Sequence, residues 1–147
     1  AAQPWGIGPG CPNPVERIES GLLSYGGDTD EATNPFEVRL GKYVDLHLDD
    51  AVVGLVELRN IKARGVARHQ LGIVLDDQPR QAGHAIWYDI LKGDKKVGSM
   101  TNGGWSPRKE TVIGFALVTS DLAAGDRVEV VRHGKRDMGT LCDLPFF

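Results

Sequence analysis

Apolar positions at Val15, Ile18 and Leu22 recur at spacings of three and four, the period of one helical face, directly after Asn13-Pro14. Asn13 suits the N-cap, Pro14 the first helical position, and Glu16 completes an Asn-x-x-Glu capping box, so a helix is expected from Pro14. Gly21, Gly26 and Gly27 end it, and an acidic loop of Asp28, Asp30 and Glu31 runs to Asn34-Pro35. The stripe has no visible apolar partner upstream, where Trp5 to Pro12 is extended and rich in Gly and Pro; part of it is expected to be exposed or covered by a neighbouring chain. Phe36 to Leu46 mixes apolar and charged positions and fits either a strand or an irregular connection. A second helix is expected from about Asp50 to Arg64, with Asp49 or Asp50 as cap, Leu55, Leu58 and Ile61 on one face and Gly65 as the stop. From Ala67 the period drops to two. Leu71, Ile73 and Leu75 alternate with their neighbours, Gly93-Asp94 joins Ile86–Leu91 to Val97–Met100, and His133-Gly134-Lys135 joins two further strands. Val112 to Val118 is nearly continuous in apolar residues, as for a strand covered on both faces. The pattern predicts an α+β, mainly β fold: two short helices, then a small antiparallel barrel or sandwich.

Composition narrows the partners. The chain has 147 residues, 41% of them hydrophobic, enough for a core without staples. A net charge of −3 offers no basic stripe for nucleic acid or an anionic membrane. No apolar run approaches the ~20 residues of a membrane span, and the first ten residues lack the charged start and apolar centre of a signal peptide, so a cytoplasmic protein or one of an organelle matrix is expected. Cys11 and Cys142 stand far apart without metal spacing and read as two reduced structural thiols.

The block from Asn13 to Glu37, NPVERIESGLLSYGGDTDEATNPFE, resembles a signature of the tetrahydrofolate-dependent aminomethyl- and methyltransferases, which include the glycine cleavage T-protein and the dimethylsulfoniopropionate demethylases. Gly65-Val66, Gly98 in VGSMTNGGWSP, Ile113-Gly114 and the terminal Asp143-Leu144-Pro145-Phe146 continue the resemblance over nearly the whole chain. GCPNPVERIESGLLSYGGD and WSPR look closer to the demethylase branch. The resemblance implies that residues 1–65 are the C-terminal remnant of a folate-binding domain and residues 66–147 a C-terminal β-barrel domain. It also implies a part of a larger enzyme that moves a methyl group from a small donor to N5 of tetrahydrofolate. An aminomethyltransferase of glycine cleavage and a non-catalytic barrel module used for binding or scaffolding are the alternatives. In the family the catalytic aspartate and the glutamate that reads the pterin belong to an N-terminal half, so no catalytic residue is assigned, and this chain alone is expected to be inactive. That half is the expected partner, in the same chain or as a separate subunit, beside the methyl donor and a possible homo-oligomer. Gly54-Leu55-Val56 departs from the Gly-Lys-Glu with which many members start the second helix.

Two residues carry the expected cofactor contact. The resemblance sends Arg17 to the folate cavity, where a guanidinium fork can grip a carboxylate or pterin oxygens, and sends Tyr25 to the same wall. A surface pair of Arg17 with Glu16 or Asp28, and a half-buried Tyr25, are the structural alternatives. Glu19, Asp28, Asp30 and Glu31 are expected on solvated faces, since one helix position and a loop do not oppose two carboxyl groups. His47, His69, His84 and His133 are scattered without metal or nucleophile spacing and read as structural. Asn102-Gly103-Gly104 lacks the phosphate-loop pattern and is expected to be a tight turn, with Trp105 packed beneath Pro107.

Overall fold

A computed structural model describes residues 13–49, 51–76, 78 and 85–147; Cys11, Asp50, His84 and the lead-in before Asn13 lie outside the described residues. Helix α1 spans Pro14–Glu19, a 3-10 turn spans Gly41–Tyr43 and helix α2 spans Leu55–Arg64. Six strands follow: β1 Arg68–Leu75, β2 Ala85–Lys92, β3 Lys95–Ser106, β4 Thr111–Thr119, β5 Arg127–Arg132 and β6 Lys135–Cys142. They close into a barrel in the order β1-β4-β3-β2-β5-β6, every pair antiparallel. The expected small antiparallel barrel is thus present, and among the described residues helices occur only before it.

Two of the strand pairs follow from local turn chemistry. Gly93, at φ 64°, opens the two-residue turn between β2 and β3, while His133 and Gly134, at φ 49° and 76°, form the β5–β6 turn with the twist a hairpin needs. Alternate side chains then fill the inside: Ile73, Leu75, Ile90, Met100, Val118 and Val130 share one apolar core. Gly114 lets strands and filling approach, because a Cβ there would lie 2.3 Å from the Met100 methyl and 2.5 Å from the Asn102 carbonyl oxygen.

β4 is buried on both faces, as its apolar run predicts. Val112, Ala116 and Val118 face the barrel core, whereas Ile113 and Phe115 face a second cluster made by Ile18 of α1 and by Leu144 and Phe146 after β6. The helix stripe therefore finds its partner inside its own chain. Ile18 is fully buried, but Leu22 stays 61% exposed and Glu19 takes the inner face instead. The ends of α1 match the sequence: the Asn13 carboxamide accepts the Val15 N–H at 3.0 Å, and Gly21 turns the chain at φ 71°.

Other expectations are corrected. α2 begins at Leu55, about a turn later than predicted, because Asp49 spends its carboxylate on the Ala51 N–H at 2.8 Å and Gly54 enters the helix at φ 83°. Of the two alternatives for Phe36 to Leu46, the structure has the irregular connection, with the 3-10 turn Gly41–Tyr43 inside it. Asn102-Gly103-Gly104 lies within β3, where Gly103 pairs with Gly114. The register shift between Met100 and Asn102 sets Thr101 apart from the ladder.

Candidate functional site

Three acidic side chains of the segment before the barrel are buried, and each reaches a barrel residue. Asp28 has no exposed surface. Its carboxylate accepts from Arg17 Nη1 at 2.6 Å, from the Ser24 N–H at 2.8 Å and from Thr101 Oγ1 at 3.3 Å. Glu19 accepts from the Ser106 hydroxyl and faces Arg108 at 3.7 Å. Glu37 accepts from Arg68 Nε at 2.8 Å and from the Asn34 N–H at 3.0 Å. The expectation of solvated carboxylates holds for Asp30 and Glu31, which are exposed, and fails for Glu19 and Asp28. Burial is tolerated because each carboxylate keeps more than one donor or ionic partner, so no charge is left uncompensated. Part of this was legible: Glu19 lies four residues after Val15 and beside Ile18, on the same helical face. Nothing in the spacing announces that Asp28 would meet Thr101, 73 residues away.

Arg17 belongs to the Asp28 part of this arrangement. Its Nη1 donates to Asp28 and, at 2.6 Å, to the Leu22 carbonyl, and its guanidinium lies 5.6 Å from the Phe115 ring centroid. The side chain keeps 18% of its exposure, and Nε and Nη2 make no hydrogen bond among the described residues. Tyr25 belongs to the loop that delivers Asp28, bridging to Thr29, with its ring 73% exposed. The pair thus combines a fixed guanidinium with spare donors and an open aromatic face on one loop-helix unit, a combination that fits a flat ligand carrying acceptor atoms.

Two of the histidines make side-chain contacts within the fold. His69 Nε2 is 2.9 Å from the Leu122 carbonyl oxygen, and His133 is 3.1 Å from the Tyr88 hydroxyl. Among the described residues no group of three or more His, Cys, Asp or Glu could hold a metal. Cys142 is a free thiol whose pKa is pushed up by burial. No helix among them is long and apolar enough to cross a membrane.

Comparison with known proteins agrees with this architecture. The model of the glycine cleavage T-protein C-terminal barrel domain matches residues 68–147, from the first residue of β1 to the end. The aminomethyltransferase of Thermotoga neapolitana is 38% identical over 133 residues, 90% of this chain and 35% of its own length. That of Pseudothermotoga lettingae is 32% identical over the same shares. Both alignments are longer than the barrel and so take in residues before β1. Among solved structures, the crystal structure of glycine cleavage system aminomethyltransferase T from Bartonella henselae has the same fold, at a TM-score of 0.74 and 20% identity over 89% of this chain and 37% of that one. The chain spans about a third of the length of the curated relatives it matches.

Proposed function

Because the chain belongs to the glycine cleavage T-protein family, through a C-terminal barrel domain that covers residues 68–147, we propose that it works as the C-terminal part of a tetrahydrofolate-dependent one-carbon transferase. In this proposal residues 1–65 end the folate-binding domain and residues 66–147 are the barrel that backs it. The observation that carries the proposal is the continuity of the likeness: similarity to aminomethyltransferases runs from the barrel back through the segment around Arg17 and Tyr25. An aminomethyl donor is favoured by the names of these relatives. A methyl donor is the second reading, supported by the wording of the GCPNPVERIESGLLSYGGD block.

Tetrahydrofolate, when bound, supplies N5 as the acceptor of the one-carbon unit. Arg17 would hold acceptor atoms of the cofactor with the donors that Asp28 leaves spare, and Tyr25 would cover one face of its ring system. Anchoring Asp28 to Ser24 and Thr101 fixes the guanidinium before the ligand arrives, so little ordering cost is left for binding. Proton management at the reacting centre is not assigned to a residue of this chain.

The test is calorimetric binding of tetrahydrofolate to the complete enzyme with and without Arg17. Arg17→Ala should lose about 1.5–3 kcal/mol of affinity, the range for a hydrogen bond to a charged group. Unchanged affinity in a folded variant would remove Arg17 from the site.

A further inference from the structure

Helix α2 is thinly covered by its own chain. Leu55 is buried and Leu58 and Ile61 are half-buried. Arg59 donates from Nε and Nη2 to the Leu46 and Leu48 carbonyls at 2.8 and 2.7 Å, which ties that side of the helix to the stretch before it. The other side presents Val56, Asn60 and Ala63, spaced four and three apart and all exposed. Val52 and Val53 add to this exposed surface just before the helix, and Val53 is almost wholly in solvent. A ten-residue helix is too short to stand alone in water, where even about 12–15 residues are marginal. With Leu55 as its buried side chain, α2 gains little from within the chain.

Two further features set this surface apart. At Gly54-Leu55-Val56, where many members of the family start the helix with Gly-Lys-Glu, Val56 puts an apolar side chain, 53% exposed, in place of a carboxylate. The charges are also divided along the helix, with Glu57 in the first turn and Lys62 and Arg64 in the last. Glu57 and Arg64 meet within the chain at 3.0 Å, both more than half exposed. Such a surface pair contributes little where it stands, so it is exchanged at little cost for the same pair between two chains.

We infer that α2 pairs antiparallel with α2 of a second copy of this chain, across a two-fold axis near Asn60. The charge division decides the direction. An antiparallel pair sets Glu57 against the partner's Arg64 and Arg64 against the partner's Glu57, whereas a parallel pair would set like against like. Opposed helix dipoles also place each positive N-terminal end beside a negative C-terminal end. Asn60 and Ala63 are small enough for two helices to approach closely, and Val56 then leaves water on both sides of the axis. Val53 falls near the partner's Gly65, which has φ 78° and open space where a Cβ would stand. Because the same patch serves both copies, the contact closes as a dimer and does not extend into a fibre. A contact built on one helix of about 15 Å is small, so the pairing is weak and depends on concentration.

Sedimentation equilibrium of the complete protein over a dilution series, at about 0.1 M salt, tests this pairing without any folate. The parent should pass from single chains to dimers as concentration rises. Val56→Asp and Val53→Asp should each weaken the dimer about tenfold or more, while in dilute solution, where the chain is single, both variants should unfold like the parent. Charge exchange is the sharper probe. Glu57→Arg and Arg64→Glu should each weaken the dimer, since each brings like charges together twice across the axis, and the two substitutions combined should restore it. Lys135→Ala, at the distant β5–β6 turn, should change nothing. A protein that stays single at every concentration, as it would if another part of the enzyme covered α2, overturns the inference. A dimer that survives Val56→Asp, or one that the combined exchange fails to restore, overturns it as well.

Discussion

The barrel and the segment that precedes it are stabilised by different means. The barrel is filled by an apolar cluster that includes Ile73, Leu75, Ile90, Met100 and Val130, with Gln70, Thr101, Ser106, Thr111 and Arg132 as the buried polar side chains of its strands. Along the preceding segment, apolar burial is thin, with Ile18, Val38 and Leu55 buried while Leu22, Leu40, Tyr43 and Val53 stay exposed. What fixes that segment is charge: Glu19, Asp28 and Glu37 dock on Ser106, Thr101 and Arg68. A closed sheet satisfies its backbone internally and needs only filling, whereas an irregular segment has few neighbours and gains order from directional bonds.

Removing a carboxylate should therefore hurt the segment as much as removing volume hurts the barrel. Asp28→Ala leaves the Arg17 charge, the Ser24 N–H and the Thr101 hydroxyl without their acceptor and should cost about 3–5 kcal/mol, measured by urea unfolding. A loss under about 1 kcal/mol would break the comparison. Ile90→Ala opens a cavity in the barrel core and should cost about 2–5 kcal/mol, with the loss shared by the whole barrel in hydrogen exchange. Gly114→Ala presses a methyl group onto Met100 and the Asn102 carbonyl and should cost about 1–3 kcal/mol, although it adds apolar surface.

Acid should reveal a smaller charge contribution within the barrel itself. The Arg127 guanidinium hydrogen-bonded to Asp76 holds that carboxyl below its usual range. A carboxyl with a lowered folded pKa contributes stability that is fully present above its unfolded value, about 3.9, and is lost as the pH falls through the folded one. Arg127→Ala should therefore flatten the pH dependence of the melting temperature below about pH 4 and leave it unchanged at pH 7 apart from a constant offset. The smallest effect belongs to Val53, 99% exposed. Val53→Asp should stay within about 0.5 kcal/mol of the parent, and a larger loss would mean that the surface around Gly54 is covered in solution.

The two regions also differed in how much their residues disclosed in advance. Period-two alternation, Gly93-Asp94 and His133-Gly134 announce barrel strands because their causes are local, within a hairpin. The run from Val112 to Val118 announces a strand covered twice, although not by what. The docking of Glu19 and Asp28 depends on contacts 87 and 73 residues away, which periodicity cannot encode. The start of α2 was misplaced for the opposite reason, a choice made within a few residues by the Asp49 carboxylate and the left-handed Gly54. For the candidate site, the sequence offered Arg17 with Asp28 as one of its possible partners, while the burial of that pair and its place over Phe115 emerged only in three dimensions.

The seam of the barrel has a consequence for how the molecule is made. β1 is hydrogen-bonded to β6, with Gly72 opposite Cys142 and Leu75 opposite Gly139, so the first strand to be synthesised waits for the last. Until then β1 and β5 each present a free edge, the kind of unpaired ladder that other chains can extend. Closure joins residues about 70 positions apart in sequence, which places a slow, entropy-limited step at the end of folding. A nascent chain on the ribosome cannot take that step before Cys142 has left the exit tunnel, and conditions that stall translation there should yield aggregates rather than a smaller stable barrel.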